Sequence, residues 1–90
     1  METLIDRVLE IWKEERVTAA WIAERTGISE ARWYDIRKRK VMRTNELESF
    51  QKQWPEYGYW LMTGLEIPEA GQISPMTKKA KETLKPIDKN

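Results

Sequence analysis

Ninety residues suffice for one compact domain with a modest core, and leave little area for a deep catalytic cavity. Hydrophobic residues make up 40% and charged residues 34% of the chain, the balance of a globular domain rather than a disordered one. There is no Cys and no His, which removes disulfides, thiolate metal sites, the usual general base at neutral pH and the commonest metal ligand, while the net charge of +1 does not by itself announce a nucleic-acid partner.

The first element in the chain reads as an amphipathic helix from Thr3 to about Glu15. Leu4, Val8 and Ile11 form one stripe, with Ile5, Leu9 and Trp12 beside it. Thr3 and Asp6 have the spacing of a capping box, with Asp in place of Glu. Thr18 suits the N-cap of a second helix, Ala19 to Thr26. Val17 and Ile22 stand at hydrophobic-staple spacing around that cap, and Gly27 occupies the position where a left-handed residue ends a helix. The same signal then repeats. Ser29 caps a third helix, with Ile28 and Trp33 as the staple.

This third helix is expected to run to about Lys38 and to dissolve into Arg37-Lys38-Arg39-Lys40. Asn45 with Glu48 can cap a fourth helix that carries Leu47, Phe50 and Trp54 inward. Pro55 ends it and suits the first position of a fifth, Glu56 to Thr63, which stops at Gly64. Beyond Gly64 the pattern fades. Pro68, Gly71 and Pro75 argue for an irregular stretch over 65–76, and Met76 to Leu84 either forms one short lysine-rich helix or stays disordered. No internal repeat and no strand pattern is evident.

Charge is polarised along the chain. Between Ile28 and Arg43 lie six basic residues (Arg32, Arg37, Lys38, Arg39, Lys40, Arg43) against Glu30 and Asp35. Between Thr44 and Pro75 lie five acidic residues and one basic residue, Lys52. Two short helices joined by a Gly-centred turn are the outline of a helix-turn-helix. Ala23 supplies the small residue where such helices touch. Ile28, Trp33 and Ile36 point back into the core, so the opposite face of the third helix presents Glu30, Ala31, Tyr34, Arg37 and Lys38.

The stretch from Ala19 to Ile36 resembles the lambda-repressor/Cro-like helix-turn-helix family, also called the XRE family. The resemblance rests on Ala23, three residues, Gly27-Ile28-Ser29, and the apolar positions Trp33 and Ile36. A second match, Tyr59-Trp60-Leu61-Met62-Thr63-Gly64, resembles the Trp-Leu-Leu-x-Gly ending of that family's fifth helix. Together the matches span about Leu4 to Gly64. Trp33 stands where the family prefers an aliphatic residue, the turn after the third helix is unusually basic, and the segment beyond Gly64 has no counterpart in the minimal domain.

The resemblance implies an all-α, compact five-helix domain over 1–64, followed by an irregular or partly helical C-terminal extension over 65–90. It implies sequence-specific binding of double-stranded DNA by a phage-type regulator of the repressor kind. By position it assigns base contacts to Glu30, Ala31, Tyr34 and Asp35. Arg32 either lies beside the groove wall or reaches guanine. Phosphate contacts fall to Arg37, Lys38, Arg39, Lys40 and Arg43, to Ser29, and to Thr18 and Ala19 through the free amides of the second helix.

One recognition helix covers only a few base pairs, so a homodimer is expected, with Tyr57, Tyr59, Trp60 and Met62 as its face. Plainer readings stand beside these. Trp12, Trp54 and Trp60 suit a core as well as an interface, and Trp21 suits either a core rim or a backbone contact. The basic run suits a solvated helix end, Glu30 and Asp35 suit surface charges, and Lys78, Lys79, Lys81 and Lys85 suit a soluble tail. A helical protein-interaction module, such as an antitoxin or adaptor, is the alternative function on the same fold. With Ser only at 29, 49 and 74, no nucleophile has an evident base, so no enzyme activity, metal, cofactor or small-molecule substrate is expected. No apolar run approaches membrane-spanning length, and the amino-terminal alternation is unlike a signal peptide. A cytoplasmic protein without a membrane partner is therefore expected.

Overall fold

The computed structural model describes residues 1–84, and Lys85, one of the four lysines of the expected tail, lies outside the described residues. Its elements are α1 (Leu4–Glu14), α2 (Ala19–Thr26), α3 (Glu30–Arg39), α4 (Thr44–Gln51), α5 (Gly58–Thr63) and α6 (Pro75–Leu84), with 3-10 turns at Pro55–Tyr57 and Pro68–Ala70. The described chain is all-helical apart from one isolated bridge between Ile67 and Gln72.

The first three helices begin where local chemistry requires. The Thr3 hydroxyl accepts from Asp6 N–H while the Asp6 carboxylate accepts from Thr3 N–H, closing the capping box. Thr18 and Ser29 accept from the N–H groups of Trp21 and Arg32, so each satisfies an amide that has no partner inside its helix. Gly27 ends α2 at φ 77°, a conformation that costs a residue with a Cβ. Thr26 then stitches the turn. Its hydroxyl donates to Ile22 O and accepts from Ile28 N–H and the Trp33 indole.

The later elements depart from expectation. α3 runs on to Arg39, and Lys40 ends it in the left-handed region at φ 58°, so the basic run is helical almost throughout. Arg43, not Asn45, precedes the first residue of α4, and Glu46 rather than Glu48 reaches back to accept from Arg43 N–H at 2.8 Å. Asn45 and Glu48 lie inside the helix. A 3-10 turn takes up the start expected for the fifth helix, so α5 begins at Gly58.

The core is built from aromatic rings. Trp12 packs edge-on against Trp33 at 5.6 Å, Trp33 meets Phe50 at 5.6 Å, Phe50 meets Trp54 at 5.2 Å, and Trp54 meets Trp21 at 5.8 Å. This chain of rings ties α1, α3, the end of α4 and α2 together, and such pairs add to their area burial. Trp33 and Ile36 are fully buried, so α3 is fixed to the body along one stripe. Trp12 and Trp54 belong to the core, and Trp21 forms its rim beneath the Arg25 guanidinium, 4.6 Å from the ring centroid.

Polar joints complete the frame. The Arg32 guanidinium forks onto Glu46, with Nε 2.7 Å from Oε2 and Nη2 2.9 Å from Oε1. Its Nη1 donates to Asp35 at 2.7 Å and its Nη2 also reaches Val41 O at 3.3 Å. Glu46 is buried, and the hydrogen bond from Arg32, then that from Arg43 N–H, hold its carboxyl at about 2, against an ordinary value of 4.5. α3 is thereby locked to α4 by a bidentate pair, the geometry in which Arg and carboxylate bind most strongly.

The segment beyond Gly64 lies against the same body. Ile73 is buried and its N–H donates to Glu56 O, while Gln72 bonds the backbone of Pro55 and Tyr59. Ser74 accepts from Thr77 N–H at the start of α6. Lys78 is no solvated tail residue, since its ammonium sits 3.0 Å from both Glu15 and Glu56 and above the Tyr57 ring. Lys79 faces Glu14 at 3.8 Å.

Two outcomes follow from this frame. Trp33→Ala is expected to destabilise the fold by about 3–5 kcal/mol, read by denaturant unfolding, because a cavity would open where four elements meet. Glu46 has a folded pKa below its unfolded value, so its contribution is complete above 4.5 and is lost as pH falls towards about 2. The thermal midpoint of the native chain is expected to drop across that window, and that of Glu46→Gln to start lower and drop less.

Candidate functional site

The outer face of α3 is the most distinctive surface that these joints create. Glu30, Ala31 and Tyr34 are exposed on it, as are Arg37, Lys38 and Arg39, which follow towards its C-terminus. The buried stripe of Trp33 and Ile36 faces the other way, so the helix stands out from the body with its polar side towards solvent. Arg37 is steered by two rings, with its guanidinium carbon 5.0 Å from the Trp12 centroid and 5.1 Å from that of Tyr34. Among the described residues Lys38 makes no ion pair.

The remaining cations of the basic segment each face a carboxylate. Arg39 Nε lies 3.0 Å from Asp35, Lys40 Nζ 3.0 Å from Asp6 and Arg43 Nη1 3.6 Å from Glu46. Hydrogen bonds from Thr3 N–H and from Lys40 hold the Asp6 carboxyl at about 2. The side chains of Arg39, Lys40 and Arg43 are largely exposed, so these pairs are weak and readily exchanged for another anion.

Two of the expected base-contacting residues are placed otherwise. Arg32 points along the α3–α4 joint, where Glu46, Asp35 and Val41 O engage its donors. Asp35 accepts from both Arg32 and Arg39 and is half-buried between them. Neither side chain stands free on the outer face. Glu46, the partner that redirects Arg32, had a local signal only in its spacing of three from Arg43.

Thr18 and Ser29 are occupied as caps, and the Ala19 side chain is buried, so any contact there falls to the backbone amides at the start of α2. The expected dimer face is divided. Tyr57 and Trp60 belong to the core, Tyr57 with its hydroxyl donating to Glu15. Burial, then the bond to Glu15, push the Tyr57 hydroxyl pKa strongly upward. Both rings sit in the core with Val8, Ile11, Phe50 and Leu61, and Lys78 of α6 lies over the Tyr57 ring. Tyr59 and Met62 remain exposed, beside Leu65. No helix among the described residues is long and apolar enough to cross a membrane.

The chain is similar to a solved structure, that of Pf6r from the filamentous phage Pf6 of Pseudomonas aeruginosa PA01. The TM-score is 0.78 and the sequence identity 32%, over 92% of this chain and 98% of that one. No protein-family model and no curated protein matches the chain. Because the likeness covers nearly the full length of both chains at this identity, the similarity extends to the segment after Gly64 as well as to the first five helices. The chain belongs to the same family as the filamentous-phage protein Pf6r.

Proposed function

We propose that this protein binds double-stranded DNA at specific sequences, as a homodimer, and regulates transcription in the manner of a small phage repressor. The observation that carries the reading is the outer face of α3, where Glu30, Ala31 and Tyr34 are exposed while Trp33 and Ile36 are locked into the core. A major groove admits a helix presented in this way. The resemblance of Ala23, Gly27-Ile28-Ser29 and Trp33 to the lambda-repressor/Cro-like pattern supports it, as does kinship with a phage protein.

In this reading Glu30 accepts from a cytosine amine, Ala31 meets a thymine methyl and Tyr34 contacts the adjacent base edge or its phosphate. Lys38 and Arg37 neutralise phosphate directly. Arg39, Lys40 and Arg43 do so by exchanging their carboxylate partners for the backbone, and the amides at the start of α2 and α3 supply neutral donors. Arg32 and Asp35 set the angle of α3 instead of touching bases. The dimer face falls to Tyr59 and Met62, the members of the expected face that remain exposed.

Selection of bound duplexes from a random pool tests the reading. A two-fold symmetric consensus is expected, with half-sites about one helical turn apart. On that duplex, Tyr34→Ala is expected to cost about 1–3 kcal/mol and relax base preference, and Lys38→Ala to weaken all duplexes alike and lower the salt slope by about one. If no duplex is enriched and binding is flat in salt, the reading is overturned in favour of a protein-interaction module.

A further inference from the structure

A groove of about 260 Å³ lies between the end of α1 and α3, outside the face assigned to the bases. Its floor is apolar, made by Leu9, Trp12 and Val17, and its rim carries Lys13, Arg16 and Arg37. All three cations are exposed, and among the described residues none of them is in an ion pair. Two of the neighbouring acids are engaged elsewhere, and a third, Glu10, lies one turn before Lys13 with no salt bridge to it. Glu15 is held by Tyr57 and Lys78, and Glu14 faces Lys79.

The rim is fixed in place by the backbone and by rings. Arg16 adopts φ 57°, a left-handed conformation that is uncommon for a residue with a long side chain. Its N–H donates to Lys13 O at 3.2 Å, and the Trp12 indole donates to Val17 O at 2.9 Å, which pins the link between α1 and α2 against the groove. The rings of Trp12 and Tyr34 orient Arg37, and Tyr34 is itself on the outer face of α3. Two residues after Arg16 comes Thr18, the cap of α2, whose first amides lack partners within the helix.

We propose that Lys13, Arg16 and Arg37 together seat a phosphodiester group of the DNA backbone beside the groove that receives α3. This rests on the DNA-binding reading and extends its contact surface onto α1 and the α1–α2 link. Unpaired cations on an apolar floor suit an anion with a diffuse charge, and a planar guanidinium held by rings suits two oxygens of one phosphate. The occupant is the backbone rather than a base, because apart from Arg37 the groove is lined from α1 and the α1–α2 link, without Glu30, Ala31 or Tyr34, and it offers no acceptor side chain.

The test compares the salt dependence of binding of the native chain and three variants to the selected duplex and to random duplexes. Arg16→Gly removes the charge while suiting the left-handed backbone, so the fold is kept, and unfolding curves verify this. Lys13→Gln removes the second charge. Lys52→Gln, at the end of α4 and outside the groove, controls for net charge. Arg16→Gly and Lys13→Gln are each expected to lower the salt slope by about one and to weaken all duplexes by the same factor, with Lys52→Gln close to native. If the native chain binds while the groove variants match Lys52→Gln, or if they alter base preference, this seat is refuted and the DNA-binding reading stands. If the native chain binds no duplex, both fall together.

Discussion

The burial of Trp33 is the constraint on which the rest of the molecule depends. Its ring lies between Trp12 and Phe50, and its indole N–H is satisfied by Thr26 in the turn before α3. Through one side chain α3 is referred to α1, α4 and the α2–α3 turn together. Because Ile36 is buried on the same stripe, rotation of α3 about its axis would expose a large apolar surface. The outward direction of Glu30, Ala31 and Tyr34 is therefore a consequence of packing on the opposite side of the helix.

Electrostatics refines what packing sets. A helix ending in several cations gains from the macrodipole but also repels itself, and α3 manages this with Asp35 placed between Arg32 and Arg39. The buried Glu46 fixes Arg32 and also begins α4, so one carboxylate serves as helix cap and as interhelical joint. The cations left over lie on the outer side of α3 or at its end. The surface is thus strongly positive in one region, although the whole chain carries a net charge of only +1.

How far the sequence foretold this depends on the range of each interaction. The starts of α1, α2 and α3 were legible at Thr3, Thr18 and Ser29, because a cap engages a backbone amide three residues on and is read within one turn. Gly27 was legible for the same reason. The destination of Arg32 was not, since Glu46 lies fourteen residues away and its one local signal, a spacing of three from Arg43, is matched by that of Glu48 from Asn45. The aromatic surplus of the fifth helix suggested an interface, yet Tyr57 and Trp60 both find room in the core of the first five helices. Lys78 of α6 reaches Glu15, 63 residues away, and lies over the Tyr57 ring, a contact that no local pattern announces. Contacts of this range depend on the assembled shape, which composition and periodicity do not encode.

The central claim is that α3 is held proud of the body with an unobstructed outer face that meets a duplex. Backbone amide chemical shifts, followed while the selected duplex is titrated into the full chain, test it residue by residue. The account predicts perturbations concentrated from Glu30 to Lys38 and at the start of α2, with the amides of α6 and of the loop after Gly64 little changed. Perturbations confined to α5 and α6, with Glu30, Ala31 and Tyr34 unmoved at saturation, would contradict it.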